Sequence, residues 1–256
     1  MRVVIKIGTS TLAHKTGLLN ILRVEELCKV MSDLKNAGNE VILVSSGAIG
    51  MGVGKLGLNN KPSDIPTKQA AAAVGQCELM YTYDRLFSEY NHTVAQILIT
   101  GDDIEHADRK ANFINTMARL LELSAIPIIN ENDSISTNEI EIGDNDTLGA
   151  IVATAVDADL LIILSDIDGL YTADPRENKD AKLLHTIESI TPEIENMVGG
   201  AGSALGTGGM VTKLKAAKIV TSKGIDMVIA NGENPHTLYD IVAHKDVGTR
   251  FLGKVN

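Results

Sequence analysis

Short runs dominated by Val, Ile and Leu recur along the chain: Val3-Val4-Ile5-Lys6-Ile7, Glu40-Val41-Ile42-Leu43-Val44, Thr93 to Leu98, Ile126-Pro127-Ile128-Ile129, Leu160 to Leu164 and Met227-Val228-Ile229-Ala230. Continuous apolar runs of this length suit strands that are covered on both faces. Between them lie segments with the length and period of helices: Ile21 to Lys35, Lys68 to Glu89, Asp108 to Leu123, Thr147 to Val156 and Met210 to Ser222. This alternation predicts an α/β protein, a mostly parallel sheet with helices on both sides. Asn36-Ala37-Gly38 and Lys223-Gly224 supply helix C-caps just before two of the strands. The stretch Ala173 to Gly208 is less periodic and reads as a hairpin or loops over a site. With no Pro- or Ser-rich linker and no repeat, residues 1–256 read as a single domain.

In open parallel sheets, ligands bind beyond the carboxyl ends of the strands. The loops that follow the runs here are polar and glycine-rich: Gly8-Thr9-Ser10, Ser45-Ser46-Gly47-Ala48-Ile49-Gly50, Asn130-Glu131-Asn132-Asp133 and Ser165-Asp166-Ile167-Asp168-Gly169. Lys6 stands inside an apolar strand beside such a loop, and a buried ammonium is costly unless paired. It is a candidate phosphate contact; the alternative is a lysine that snorkels at a sheet edge. Lys213 follows the turn Gly206-Thr207-Gly208-Gly209-Met210-Val211-Thr212. A glycine-rich turn into a helix N-terminus offers free N–H groups to an anion. Projected at 3.6 residues per turn, Lys213 falls between Ala217 and Val220 on the apolar face, whereas Lys215 and Lys218 fall outside it. Otherwise this is a surface helix with a flexible start. Asp144, Asn145 and Asp146 open another helix, where one cap would suffice. The surplus makes Asp146 a candidate to hold both ammonium groups at a transferring phosphate.

Bulk properties narrow the choice. A net charge of −10 and a pI near 5.1 argue against a nucleic-acid surface. Aromatics are 3% with no Trp, which disfavours base stacking. Cys28 and Cys77 have no paired spacing, and the six histidines have no ligand spacing, so neither disulfides nor catalytic zinc is expected. No apolar run approaches ~20 residues, so a cytoplasmic protein without a membrane span is expected. Ser45 and Ser46 lack the Gly-x-Ser-x-Gly elbow of a serine hydrolase. Neither a Walker A loop nor a Gly-x-Gly-x-x-Gly fingerprint follows the first strand.

Taken together and in this order along the chain, the Val4-to-Ser10, Val44-to-Ile49, Ile129-to-Asp133, Gly143-to-Asp146, Ser165-Asp166 with Gly169-to-Arg176, and Gly206-to-Lys213 segments resemble the amino-acid kinase family. Asn-Glu-Asn-Asp, Gly-Asp-Asn-Asp and Gly-Thr-Gly-Gly-Met are similar to its glutamate-phosphorylating branch. The resemblance implies a three-layer α/β/α sandwich whose N-terminal part binds glutamate and whose C-terminal part binds ATP. It implies conversion of L-glutamate to L-glutamyl 5-phosphate, the first step of proline biosynthesis, with MgATP as the phosphoryl donor and Mg²⁺ held mainly by the phosphates. By matched positions Ser46, Gly47, Asn130, Asp133 and Asn145 would line the glutamate pocket. Lys6, Ser165, Asp166, Thr207, Gly208, Gly209, Met210, Val211, Thr212 and Lys213 would hold ATP, with Lys6, Lys213 and Asp146 catalytic. Feedback inhibition by proline and a glutamyl phosphate reductase as partner are implied too. A homo-oligomer is expected, with the Lys68-to-Glu89 helix as a possible face. Many relatives carry an additional C-terminal PUA domain, which is not expected in this chain.

Overall fold

A computed structural model describes residues 1–14, 18–58, 62–135, 145–173, 175, 178–199 and 208–254. Each apolar run forms a strand: β1 (Arg2–Ile7), β2 (Glu40–Val44), β3 (Val94–Ile99), β4 (Ile126–Glu131), β5 (Leu160–Ser165) and β7 (Asp226–Asn231), with the shorter β6 (Thr186–Ile187) and β8 (Thr249–Phe251) beyond them. Among the described residues the sheet runs β3-β4-β2-β1-β5-β7-β8-β6, parallel throughout except for the β7–β8 pair. The helices are α1 (Thr9–Leu12), α2 (Ile21–Asn36), α3 (Ala48–Lys55), α4 (Ile65–Ser88), α5 (Gly101–Glu105), α6 (Ala107–Glu122), α7 (Asn145–Ala155), α8 (Pro192–Gly199), α9 (Gly208–Thr221) and α10 (Thr237–Val242).

Because successive strand side chains point to opposite faces, each central strand feeds two cores. Val4, Leu161 and Ile163 pack with Met117 of α6, Leu148 of α7 and Ala217 of α9. Val3, Ile5, Leu160 and Ile162 pack with Leu27 and Met31 of α2, Leu79 and Tyr83 of α4 and Leu238 of α10. The result is the expected three-layer α/β/α sandwich. Lys6 shares a face with Val4 and so points to the α7 and α9 side. Gly38 (φ 93°) and Gly224 (φ 78°) occupy the left-handed conformations that end α2 and α9.

The hairpin expected from Ala173 onward is present at the start of that stretch, where Tyr171 pairs antiparallel with Leu183 and the Thr172 and Leu184 N–H groups donate to the Lys182 and Leu170 carbonyls at 2.9 and 2.8 Å. The described part of the stretch also contains β6 and α8, whose Val198 is buried in the α7/α9 core. Helix α3 departs from the pattern, since Ala48-Ile49-Gly50-Met51-Gly52-Val53-Gly54-Lys55 has poor intrinsic helix propensity. Packing requires Gly52 of α3 and Gly75 of α4. A Cβ on Gly52 would lie 1.8 Å from the Ala71 carbonyl oxygen, and one on Gly75 would lie 1.8 Å from that of Ala48. Thus α3 and α4 touch backbone to backbone, which fixes the loop that leads into α3.

Candidate active site

Strand β1 delivers Lys6 to the carboxyl edge of the sheet, in register with Val44 of β2 and Ile163 of β5. Asp146 lies in the first turn of α7, and Lys213 lies in α9 one turn after Gly209. These three elements meet at one carboxylate. Lys6 Nζ is 2.7 Å from Asp146 Oδ1, and Lys213 Nζ is 3.1 Å from Oδ2. Thr212 Oγ1 donates to the same Oδ2 at 2.9 Å, and Lys213 Nζ also donates to the Gly209 carbonyl at 3.1 Å.

Lys6, Asp146 and Lys213 are 8%, 3% and 6% exposed. Burial alone would raise the Asp146 pKa, but the charges of Lys6 and Lys213 and the Thr212 hydroxyl hold the carboxyl below its ordinary range. With that carboxylate ionised, two ammonium groups face one negative charge. A residual positive charge is thereby held in a poorly solvated place, which favours an incoming anion. Among the described residues nothing lies within 4 Å of where a Cβ on Gly209 would stand, and a Cβ on Gly8 would come 3.5 Å from Lys6 Nζ. The first N–H groups of α9 add the positive end of a helix dipole at the same position.

One residue before Asp146, Asn145 organises a second cluster. Its Nδ2 donates to the Ser45 carbonyl (2.8 Å), Ser46 Oγ (2.7 Å) and Asn130 Oδ1 (3.2 Å). Gly47 takes φ 98° as N-cap of α3, a conformation that suits glycine and turns the chain directly after Ser46. Asp133 borders a cavity of ≈ 380 Å³ that Ala48, Gln76, Glu131 and Ser134 also line. Along the sheet, Ser165 Oγ donates to Asp166 Oδ1 at 3.1 Å at the end of β5.

The structure therefore joins Lys6, Asp146, Thr212, Lys213 and Gly209 in one cluster and Ser46, Asn130 and Asn145 in an adjoining one. Ser165 and Asp166 form a separate pair. Met210 is buried in the α7/α9 core, so only its backbone is available to a ligand, whereas Val211 is 44% exposed. Thr207 lies outside the described residues, and Gly208 is described only as the first residue of α9.

Two supporting residues went unread in the sequence. Gln76 accepts from Asn130 Nδ2 at 2.9 Å, and Tyr83 shares a 2.9 Å hydroxyl–hydroxyl hydrogen bond with Ser45. Burial pushes the Tyr83 pKa up, so this hydroxyl stays neutral. The available signal was a Gln on the buried stripe of α4 that also holds Ala72, Leu79 and Tyr83.

The Amino acid kinase family model matches residues 1–231. A glutamate 5-kinase of Clostridium perfringens is 58% identical over 99% of this chain and 96% of its own length. That of Clostridium tetani is 55% identical over 97% and 93%. That of Caldanaerobacter subterraneus subsp. tengcongensis is 50% identical over 100% of this chain, which spans 69% of that protein. Among solved structures, carbamate kinase from Giardia lamblia bound to AMP-PNP superposes with a TM-score of 0.71 at 17% identity, covering 99% of this chain and 98% of its own. The T. acidophilum isopentenyl phosphate kinase product complex gives 0.65 at 19%, covering 98% and 100%. These two structures establish the fold alone.

Proposed function

The chain belongs to the amino acid kinase family, and from that premise we infer that it transfers the γ-phosphoryl group of ATP to the side-chain carboxylate of L-glutamate, giving L-glutamyl 5-phosphate and ADP. This is the first step of proline biosynthesis. The observation that carries the site assignment is the bridging of Lys6 and Lys213 by the buried Asp146, beside the Asn145–Ser46–Asn130 cluster.

The nucleophile has an ordinary pKa of ~4.3 and is ionised at neutral pH, so no general base is needed. The chemistry asks instead for in-line placement and neutralisation of charge. Lys6 meets the attacking side, where the glutamate carboxylate and the γ-phosphoryl oxygens approach each other. Lys213 and the first N–H groups of α9 meet the leaving side. Asp146 fixes the two ammonium groups relative to each other, and Thr212 fixes Asp146. Asn145, Ser46, Asn130 and Asp133 orient glutamate, while Ser165, Asp166 and the turn from Thr207 to Lys213 hold the nucleotide. Among the described residues there is no group of three or more His, Cys, Asp or Glu placed to hold a metal ion. Mg²⁺ would be held mainly by the ATP phosphates, where it would supply charge neutralisation that these side chains complete.

Proline, a cyclised relative of glutamate, is assigned as a feedback inhibitor competing for the same pocket. A glutamyl phosphate reductase is assigned as consumer of the labile product, a homo-oligomer as the working form and the cytoplasm as its place. Among the described residues no helix is long and apolar enough to cross a membrane.

The test is ADP release with MgATP and each of glutamate, N-acetylglutamate, aspartate and UMP, with hydroxylamine present. Glutamate-dependent ADP and hydroxamate are expected. Turnover with another acceptor alone would move the substrate, and no turnover with any would refute the kinase reading.

A further inference from the structure

Gln76 is 8% exposed and borders the ≈ 380 Å³ cavity together with Asp133. The orientation of its amide follows from its neighbours. Asn130 Oδ1 accepts from the backbone N–H of Glu131 at 2.9 Å and from Asn145 Nδ2 at 3.2 Å, which leaves Asn130 Nδ2 as the donor facing Gln76. Gln76 must present Oε1 to that donor, at 2.9 Å, and so its Nε2 is turned elsewhere. That nitrogen is buried and, among the described residues, has no hydrogen-bond partner. Buried amide donors are rarely left unmade, and the open volume that Gln76 borders is the cavity.

We propose that Gln76 is a substrate-selecting residue whose Nε2 donates to the α-carboxylate of the bound amino acid. The proposal rests on the glutamate-kinase reading above. An N–H group takes only an acceptor, and of the two carboxylates of glutamate the side-chain one must lie at Lys6 for phosphorylation. The α-carboxylate is the acceptor that remains. Asp133, on the same cavity, has the charge for the α-ammonium. Through Asn130 and Asn145 the Gln76 amide is tied to Asp146, so the group that selects the amino-acid end is positioned by the network that holds the reacting end.

The test uses Gln76→Glu, which retains the acceptor toward Asn130 but removes the donor, and Gln76→Ala as a second variant. Thermal unfolding of both reports whether they fold, and the unsubstituted enzyme is assayed alongside. The loss of a hydrogen bond to a charged group predicts a roughly 10- to 100-fold rise in KM for glutamate, with kcat and the KM for ATP nearly unchanged. Inhibition by glutarate, which keeps both carboxylates, should weaken by a similar factor. Inhibition by 4-aminobutyrate, which lacks the α-carboxylate, should not change. An unaltered glutamate KM in Gln76→Glu overturns the proposal, as does equal weakening of glutarate and 4-aminobutyrate. Failure of the unsubstituted enzyme to phosphorylate glutamate would instead overturn the reading on which the proposal rests.

Discussion

Replacing Asp146 by Asn removes one charge with little change of shape, and so isolates what the bridging carboxylate does. The Lys6 and Lys213 ammonium groups sit on its two oxygens at 2.7 and 3.1 Å, and all three side chains are nearly enclosed. Placed on opposite oxygens of one carboxylate, the two charges are on the order of 5 Å apart. At an effective dielectric of ~20 their repulsion is about 3 kcal/mol. This agrees with the ~3–5 kcal/mol typical for removing one partner of a buried ion pair. Urea unfolding of Asp146→Asn should therefore show a midpoint lower by on the order of 1–2 M with an unchanged slope. The phosphates of ATP can replace part of the missing negative charge, so MgATP should raise the midpoint of the variant as it does that of the parent. Turnover at saturating substrates should nonetheless fall by ~10²-fold or more, because the ammonium groups are no longer held for the transition state. An Asp146→Asn protein with parental midpoint and parental kcat would refute the reasoning.

Other expectations follow from the same contacts. Lys213→Ala, if folded by circular dichroism, should lose ~10²-fold or more in kcat; near-normal turnover would remove Lys213 from the leaving side. The depressed pKa of Asp146 also fixes a pH dependence. Its native pKa lies below the unfolded value of ~3.9, so between the two the unfolded chain binds more protons. The stabilisation is full above that value and is lost as pH falls through the native pKa. Acid titration of urea midpoints should show the gap between parent and Asp146→Asn closing below about pH 4; a gap that stays constant would contradict the assignment. Gly75→Ala places a methyl 1.8 Å from the Ala48 carbonyl oxygen. It should cost on the order of 1–3 kcal/mol in unfolding measurements and raise the glutamate KM more than the ATP KM, because α3 carries the Ser46–Gly47 turn. Equal effects on both constants would separate that turn from the glutamate pocket.

The sheet was legible because buried parallel strands are unbroken apolar runs, as in β1, β2, β5 and β7. The long helices were legible from their period. What escaped has local causes. β6 and β8 are too short to show a pattern, and α3 is a glycine-rich helix sustained by its contact with α4 rather than by propensity. At the site, Lys6 and Lys213 stood out because an ammonium in an apolar stripe requires a partner, and Asp146 stood out as a surplus carboxylate at a helix start. Sequence spacing alone could not show that one carboxylate serves both lysines across the sheet edge. Gln76 and Tyr83 passed as ordinary helix positions because their significance lies in contacts with Asn130 and Ser45, distant in the chain.

Phosphoryl transfer requires a glutamate side-chain oxygen to attack the γ-phosphorus, and isotope transfer tests that step most directly. Glutamate labelled with ¹⁸O in its side-chain carboxylate is incubated with MgATP, the enzyme and hydroxylamine, and the released phosphate is analysed by mass. Attack by the carboxylate makes the labelled oxygen the bridge of the acyl phosphate, and hydroxylamine then breaks the carbon–oxygen bond, so phosphate carrying one ¹⁸O is predicted. Phosphate released without label would mean that water took the phosphoryl group and would contradict the account.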